Sequence, residues 1–177
     1  ASALTATPAD SRPSPGILRL FDALATVPAI LLNRRMDVLA HTPLLAVLCG
    51  PPVVGCNMVR QIFLDPKTRD VYPDWDEVAA ETVATLRGSM GTFLDDPRLV
   101  ELVGELSLKS PDFNRLWARH DVRLRSAGTK RMVSPMVGEV TLDWETLSVE
   151  SAPGQFLVVY SARPGTPAEE RLFGMDI

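Results

Sequence analysis

"AILLNRRMDVLAH", residues 29–41, is the stretch on which the fold turns. Two short apolar runs flank Asn33-Arg34-Arg35, a polar centre that predicts a turn between two strands. Its surroundings are different in kind. Before it, "ILRLFDALAT", residues 17–26, places Ile17, Leu20, Phe21 and Leu24 at helical spacing, and Pro28 ends that helix. After it the pattern is helical as far as His120. The hairpin is therefore isolated among helices, and its strands need partners from further along the chain.

The helices announce themselves by their starts. In "TPLLAVLC", Thr42 stands at the N-cap and Pro43 at the first helical position. "GCNMVRQIFLDP", residues 55–66, reads as a short helix stopped by Asp65-Pro66. "PDWDEVAAETVATLRGSMG" offers Asp74 as N-cap with Glu77 three residues on, a capping-box spacing, and an apolar stripe of Trp75, Val78, Val83, Leu86 and Met90. Asp96-Pro97 and Ser110-Pro111 open two more, the second with a stripe of Phe113, Leu116 and Trp117. About five helices are expected between the hairpin and His120.

Beyond His120 the period changes to two. "DVRLRSAGTKRMV" suggests two strands around Ala127-Gly128. In "EVTLDWETLSVE", Val140, Leu142 and Trp144 share one parity and Leu147 and Val149 the other, which implies a bulge or tight turn near Glu145-Thr146. "APGQFLVVYSARPG" supplies a turn, a continuous apolar strand and a second turn. The two opening strands can join this later antiparallel set into one sheet with the helices on one face. That is an α+β class of PAS-like order: an antiparallel sheet with a helical segment inserted between its second and third strands.

Residues 1–16, small, polar and proline-rich, read as a linker, and the folded domain runs from Ile17 to residue 177. A linker at the start suggests a preceding domain in the natural protein. The 177 residues suit one domain with a core of its own. With 46% apolar and 23% charged residues the composition is globular, and a net charge of −4 without a basic block makes the chain a poor nucleic-acid binder by itself. Its two cysteines, Cys49 and Cys56, read as buried reduced thiols, with no metal expected. The longest apolar run is broken by Gly50, Pro51 and Pro52, too short to span a bilayer, and no secretory signal opens the chain, so a cytoplasmic location without membrane attachment is expected. No G-x-S-x-G, glycine-rich phosphate loop, H-E-x-x-H or Cys-x-x-Cys is present. His120-Asp121 has no nucleophile motif beside it, so a non-enzyme is expected.

Five separate segments share a further property. "PAILLNRRMDVLAHTPLL", "NMVRQIFLDPKTRDVYPDW", "LVGELSLKSPDFNRLWARHDV", "VGEVTLDWETL" and "PGQFLVVYSARPGTP" together resemble, in the same order, the ligand-binding domain of MmyB-like transcription regulators. The resemblance runs from about Ile17 to the C-terminus. It implies a two-part regulator of actinobacterial type: an N-terminal helix-turn-helix domain that alone contacts DNA, absent from this chain, then this PAS-like sensor. It also implies a small amphiphilic, fatty-acid-like ligand, no cofactor, and a homodimer, since helix-turn-helix regulators read two half-sites. Two departures stand out. The family usually has Trp-Asn where this chain has His41-Thr42, and often His-Pro where it has Ser134-Pro135.

The candidate ligand-binding residues follow. Asn57 and Arg60 match an Asn-x-x-Arg element of the family. A guanidinium pairs a carboxylate with two hydrogen bonds, and an amide three residues away can add a third. On periodicity alone the pair reads first as a solvated helix face, and the resemblance brings the anchor reading level with it. Met58, Phe63, Leu86 and Met90, with Ile62 and Phe93, form an apolar pool suited to an acyl chain, or to any core. Trp75 and Trp117 can line the same pocket or simply pack, and His41 is singled out by its departure from the family. The rival readings are a ligand-free dimerisation module and a small enzyme built on His120.

Overall fold

The computed structural model describes residues 12–52, 54–93, 95–120 and 124–174. The opening hairpin forms as expected. Strand β1 (Ala29–Leu32) pairs antiparallel with β2 (Val38–His41), with an irregularity between Leu31 and Leu32. Asn33 shapes the turn: its Oδ1 accepts the N–H groups of Arg35 and Asp37, both at 3.0 Å, and Met36 takes a left-handed φ of 64°.

Helix α1 (Pro15–Ala23) precedes the hairpin, and the insert holds α2 (Pro43–Cys49), α3 (Met58–Leu64), α4 (Thr68–Val71), α5 (Trp75–Thr92), α6 (Pro97–Lys109) and α7 (Pro111–Ala118). Then come β3 (Ala127–Ser134), β4 (Gly138–Ser148), β5 (Phe156–Ser161) and α8 (Pro167–Phe173). The sheet order is β2-β1-β5-β4-β3, every neighbour antiparallel. The last strand thus inserts beside the first, which is how the isolated hairpin finds its partners. All four residues of β1 are buried, because this strand is covered on both faces. Ile30 and Leu32 face the main core with Val59, Leu86, Leu106 and Phe113, whereas Ala29 and Leu31 pack with Phe21 of α1.

Several expectations are corrected. The helices do not lie on one face only, since α1 covers the opposite side. That helix starts two residues earlier than expected, at Pro15, with Ser14 accepting the Ile17 N–H at 3.2 Å, and it ends at Ala23. Among the described residues the insert holds six helices, because a single turn, α4, precedes α5. Around Ala127-Gly128 there is one strand, not two; residues 121–123 lie outside the described residues. No bulge interrupts β4: its register against β5 is constant from Asp143 to Ser148. The change of parity arises because Val149 lies past the strand end and turns into the α1 core, while Leu147 is left exposed. Asp74 precedes α5 but makes no cap hydrogen bond, since its carboxylate takes both nitrogens of Arg131 at 2.7 Å. Thr42 likewise bridges Val27 and Ala29 instead of capping α2.

The candidate ligand cavity

Helix α5 has two faces of opposite character. Trp75, Ala79, Val83 and Leu86 fill the space toward the neighbouring helices. Val78, Thr82, Thr85, Ser89 and Thr92 recur at helical spacing on the side facing the sheet, and these side chains are too short to reach it. A cavity of about 590 Å³ remains between them. It runs along α5 from Val78 to Thr92, about 21 Å at ~1.5 Å per residue. The threonine hydroxyls are already satisfied within the helix: Thr82 donates to the Val78 carbonyl at 2.7 Å, Thr85 to Glu81 at 2.9 Å and Thr92 to Gly88 at 3.1 Å. The wall is hydroxylic in composition yet asks little hydrogen bonding of a guest.

The sheet supplies the floor. Ile30 and Leu32 of β1, Val158 and Tyr160 of β5, and Trp144 of β4 face inward at one parity. Met36, Met58 and Phe93 close the end near the hairpin turn, where Gly154, at φ +95°, lets the β4–β5 loop pass close to the Phe93 ring. Exposed Leu124 and Arg125 form part of the rim.

The other end is polar. Lys130 of β3 places its Nζ 5.9 Å from the Tyr72 ring centre, 5.6 Å from Trp144 and 5.9 Å from Tyr160. Burial pushes both tyrosine hydroxyls well above their ordinary range, so they stay protonated. Half-buried Glu81 has its carboxyl raised, chiefly by burial and against the pull of Lys130 and Arg125. Burial also pushes the nearby Cys49 thiol up to about 11, which keeps it protonated and unreactive at neutral pH. Among the described residues neither cysteine is in a disulfide. Among the described residues no three His, Cys, Asp or Glu side chains gather as a metal site, and no helix is long and apolar enough to cross a membrane.

Of the residues singled out in the sequence, Met58, Ile62 and Phe93 line this cavity. Asn57, Arg60, Phe63, Trp75, Leu86, Met90, Trp117 and His41 sit elsewhere. Asn57 is buried as the N-cap of α3, where its Oδ1 accepts the Arg60 N–H at 3.1 Å and its Nδ2 donates to the Arg35 carbonyl and Asp37. Every polar atom of that amide holds the hairpin turn to α3. The half-exposed Arg60 side chain points to α6, donating to Glu105 at 2.9 and 2.7 Å. Phe63 meets Trp75 and Phe113 edge-on at 5.7 and 5.2 Å, and Trp117 stacks on Phe113. The Trp75 indole donates to the Ile62 carbonyl at 3.2 Å. Leu86 is fully buried among the helices, and Met90 packs against the same core. His41 ends β2 with Nδ1 3.1 Å from the Thr42 carbonyl. His120, exposed at a φ of 30°, has the Arg87 guanidinium beside it at 3.2 Å; Asp121 lies outside the described residues.

Sequence reasoning missed Lys130, Tyr72, Tyr160 and the small-residue face of α5. One signal was there: Thr82, Thr85, Ser89 and Thr92 repeat at helical spacing opposite an apolar stripe.

No curated protein matches the chain. The family model described as the MmyB-like transcription regulator ligand binding domain matches residues 13–174 of the 177. With its PAS-like sheet order and an open cavity between sheet and inserted helices, the chain belongs to the MmyB-like transcription regulator ligand-binding domain family.

Proposed function

We propose that this ligand-sensing domain takes an elongated, fatty-acid-like amphiphile in the cavity between α5 and the sheet, and passes its occupancy to a helix-turn-helix domain elsewhere in the regulator. The observation that carries the reading is the cavity itself, about 590 Å³, within the usual range of roughly 300–1,000 Å³ for small-molecule sites. Burying about a dozen methylenes contributes roughly 10 kcal/mol gross at ~0.8 each. Association costs about 4–15 kcal/mol. The tail alone therefore binds weakly, and a head-group contact decides between a specific ligand and loose apolar binding. Membership in a regulator family points away from an enzyme.

The route out of the cavity is β1. Ile30 and Leu32 touch the cavity from one face of that strand, and Leu31 on the other face shares a cluster with Phe21 of α1. A ligand that favours one position of β1 thereby biases α1, the element nearest the start of the chain. In this reading the regulator is a cytoplasmic homodimer, and exposed Leu18 and Leu20 of α1 offer apolar contact to a second copy. The test is mass spectrometry of the organic extract of purified protein, with thermal shift against medium- and long-chain fatty acids. A stoichiometric amphiphile, or stabilisation by the acids, is expected. A clean extract together with no shift would overturn the reading.

A further inference from the structure

The Lys130 corner holds donors and few acceptors. Among the described residues no carboxylate forms an ion pair with Lys130, although surface arginines nearby find theirs: Arg131 pairs with Asp74 and Arg163 with Asp143. Among the described residues the Trp144 indole N–H is buried without a hydrogen-bond partner, in a side chain that lines the cavity. Among the described residues neither the Tyr72 nor the Tyr160 hydroxyl is hydrogen-bonded. The side chains that carry an ammonium, an indole N–H and two phenols thus gather at one end of the cavity, and buried donors are normally matched. The aromatic faces hold the ammonium in place without neutralising it. Of the other charged groups at this end, Arg125 adds to the positive side and Glu81 opposes it; Glu150 belongs to the far end, past the end of β4.

We propose that Lys130, held against Tyr72, Trp144 and Tyr160, reads the ligand's head group, and that the ligand is an anionic amphiphile whose carboxylate lies in this corner with its tail toward Met36, Met58 and Phe93. The proposal rests on the cavity reading above and adds polarity and direction to it. It also moves the anchor from Arg60, whose guanidinium is engaged by Glu105, to β3. The carboxylate accepts from the ammonium and from the Trp144 N–H, so one group satisfies two donors that the protein leaves open.

The experiment compares three probes that share one tail: sodium dodecanoate, 1-dodecanol and dodecyltrimethylammonium. Each is titrated below its aggregation limit into wild type, Lys130→Met and Lys130→Arg by calorimetry. Wild type should favour dodecanoate, and Lys130→Met should lower the dodecanoate-to-dodecanol affinity ratio about tenfold, ~1.4 kcal/mol, while leaving dodecanol binding in place. Lys130→Arg should keep the preference for the anion. The wild-type comparison needs no variant to fold. If all three probes bind wild type alike, or the ratio survives Lys130→Met, the head-group assignment is wrong and the cavity reading stands. Tightest binding by dodecyltrimethylammonium would make the three rings a cage for the ligand's own cation and overturn the proposal. If none of the probes binds, the cavity reading itself fails.

Discussion

Replacing Asp96 by alanine should be among the most damaging single changes outside the apolar core. Asp96 is 6% exposed at the N-cap of α6. Its Oδ2 accepts from Arg35 at 3.1 Å and lies 3.2 Å from the Arg34 Nε, and its Oδ1 accepts the Arg98 N–H at 3.0 Å. Arg35 is itself 5% exposed, so the variant leaves a buried guanidinium with Asp37 as its one acidic partner among the described residues. Breaking a buried pair from one side costs about 3–5 kcal/mol, and losing a cap about 1 more. Against a typical total of about 5–15 kcal/mol, that is about a quarter or more of the fold's stability. Glu105→Ala is the contrast. It breaks a pair to Arg60 at 2.7 Å and one to Lys109 at 3.0 Å, whose basic side chains are 47% and 61% exposed. A pair of that kind contributes about 0–1 kcal/mol. Urea unfolding of wild type and both variants, followed by far-UV circular dichroism, measures the difference. The midpoint of Asp96→Ala should fall steeply with little change in slope, and that of Glu105→Ala should barely move. Equal shifts for the two would refute the argument that burial, not the count of ion pairs, sets their weight.

Gly128→Ala would place a Cβ 3.0 Å from three atoms of the Trp144 indole, so a loss of about 1–3 kcal/mol with an altered near-UV tryptophan signal is expected; an unchanged spectrum and midpoint would contradict the packing. Cys49, with its thiol near 11, should react slowly with iodoacetamide across neutral pH in the native protein and quickly in urea, as followed by peptide mass; native labelling at the rate of a free thiol would count against its burial. Glu81 has a folded-state value raised above the ordinary 4.5, so the stability linked to it is present below that value and is lost as pH rises through the folded one. Glu81→Gln should therefore flatten the decline in stability above pH ~4.5, and identical pH–stability curves for the two proteins would exclude the linkage.

The fold was legible where local signals are strong. Asn33 between apolar runs specifies the hairpin, and Asp96-Pro97 and Ser110-Pro111 mark helix starts that the structure reproduces, because caps and turns act within a few residues. What failed depends on distance. Asp74 has the residue type of a cap, but a more favourable partner, Arg131, arrives from 57 positions away. Leu147 and Val149 share a parity, yet only the strand end decides that one is exposed and the other buried. The candidate residues show the same division. Asn57 and Arg60 were paired by spacing, while the N-cap geometry turns Asn57 inward to the hairpin and leaves Arg60 for Glu105. A cavity is defined by what side chains fail to fill, and a hydropathy stripe has no symbol for that. The Thr82, Thr85, Ser89 and Thr92 face reads like a solvated one, and Lys130 on an edge strand reads like any surface lysine.

The self-satisfied threonines of α5 bear on what such a receptor can tell apart. Thr82, Thr85 and Thr92, whose hydroxyls are tied to their own helix backbone, offer a visiting chain little to recognise along that flank. A double bond, a methyl branch or a mid-chain kink meets the same smooth surface as a straight segment. What the helix does impose is extent, since the trough starts at Val78 and stops at Thr92. On the proposed reading the domain is a ruler with one charged stop. It would respond to a pool of molecules within a band of lengths, a report on the state of metabolism more than on the arrival of any single compound.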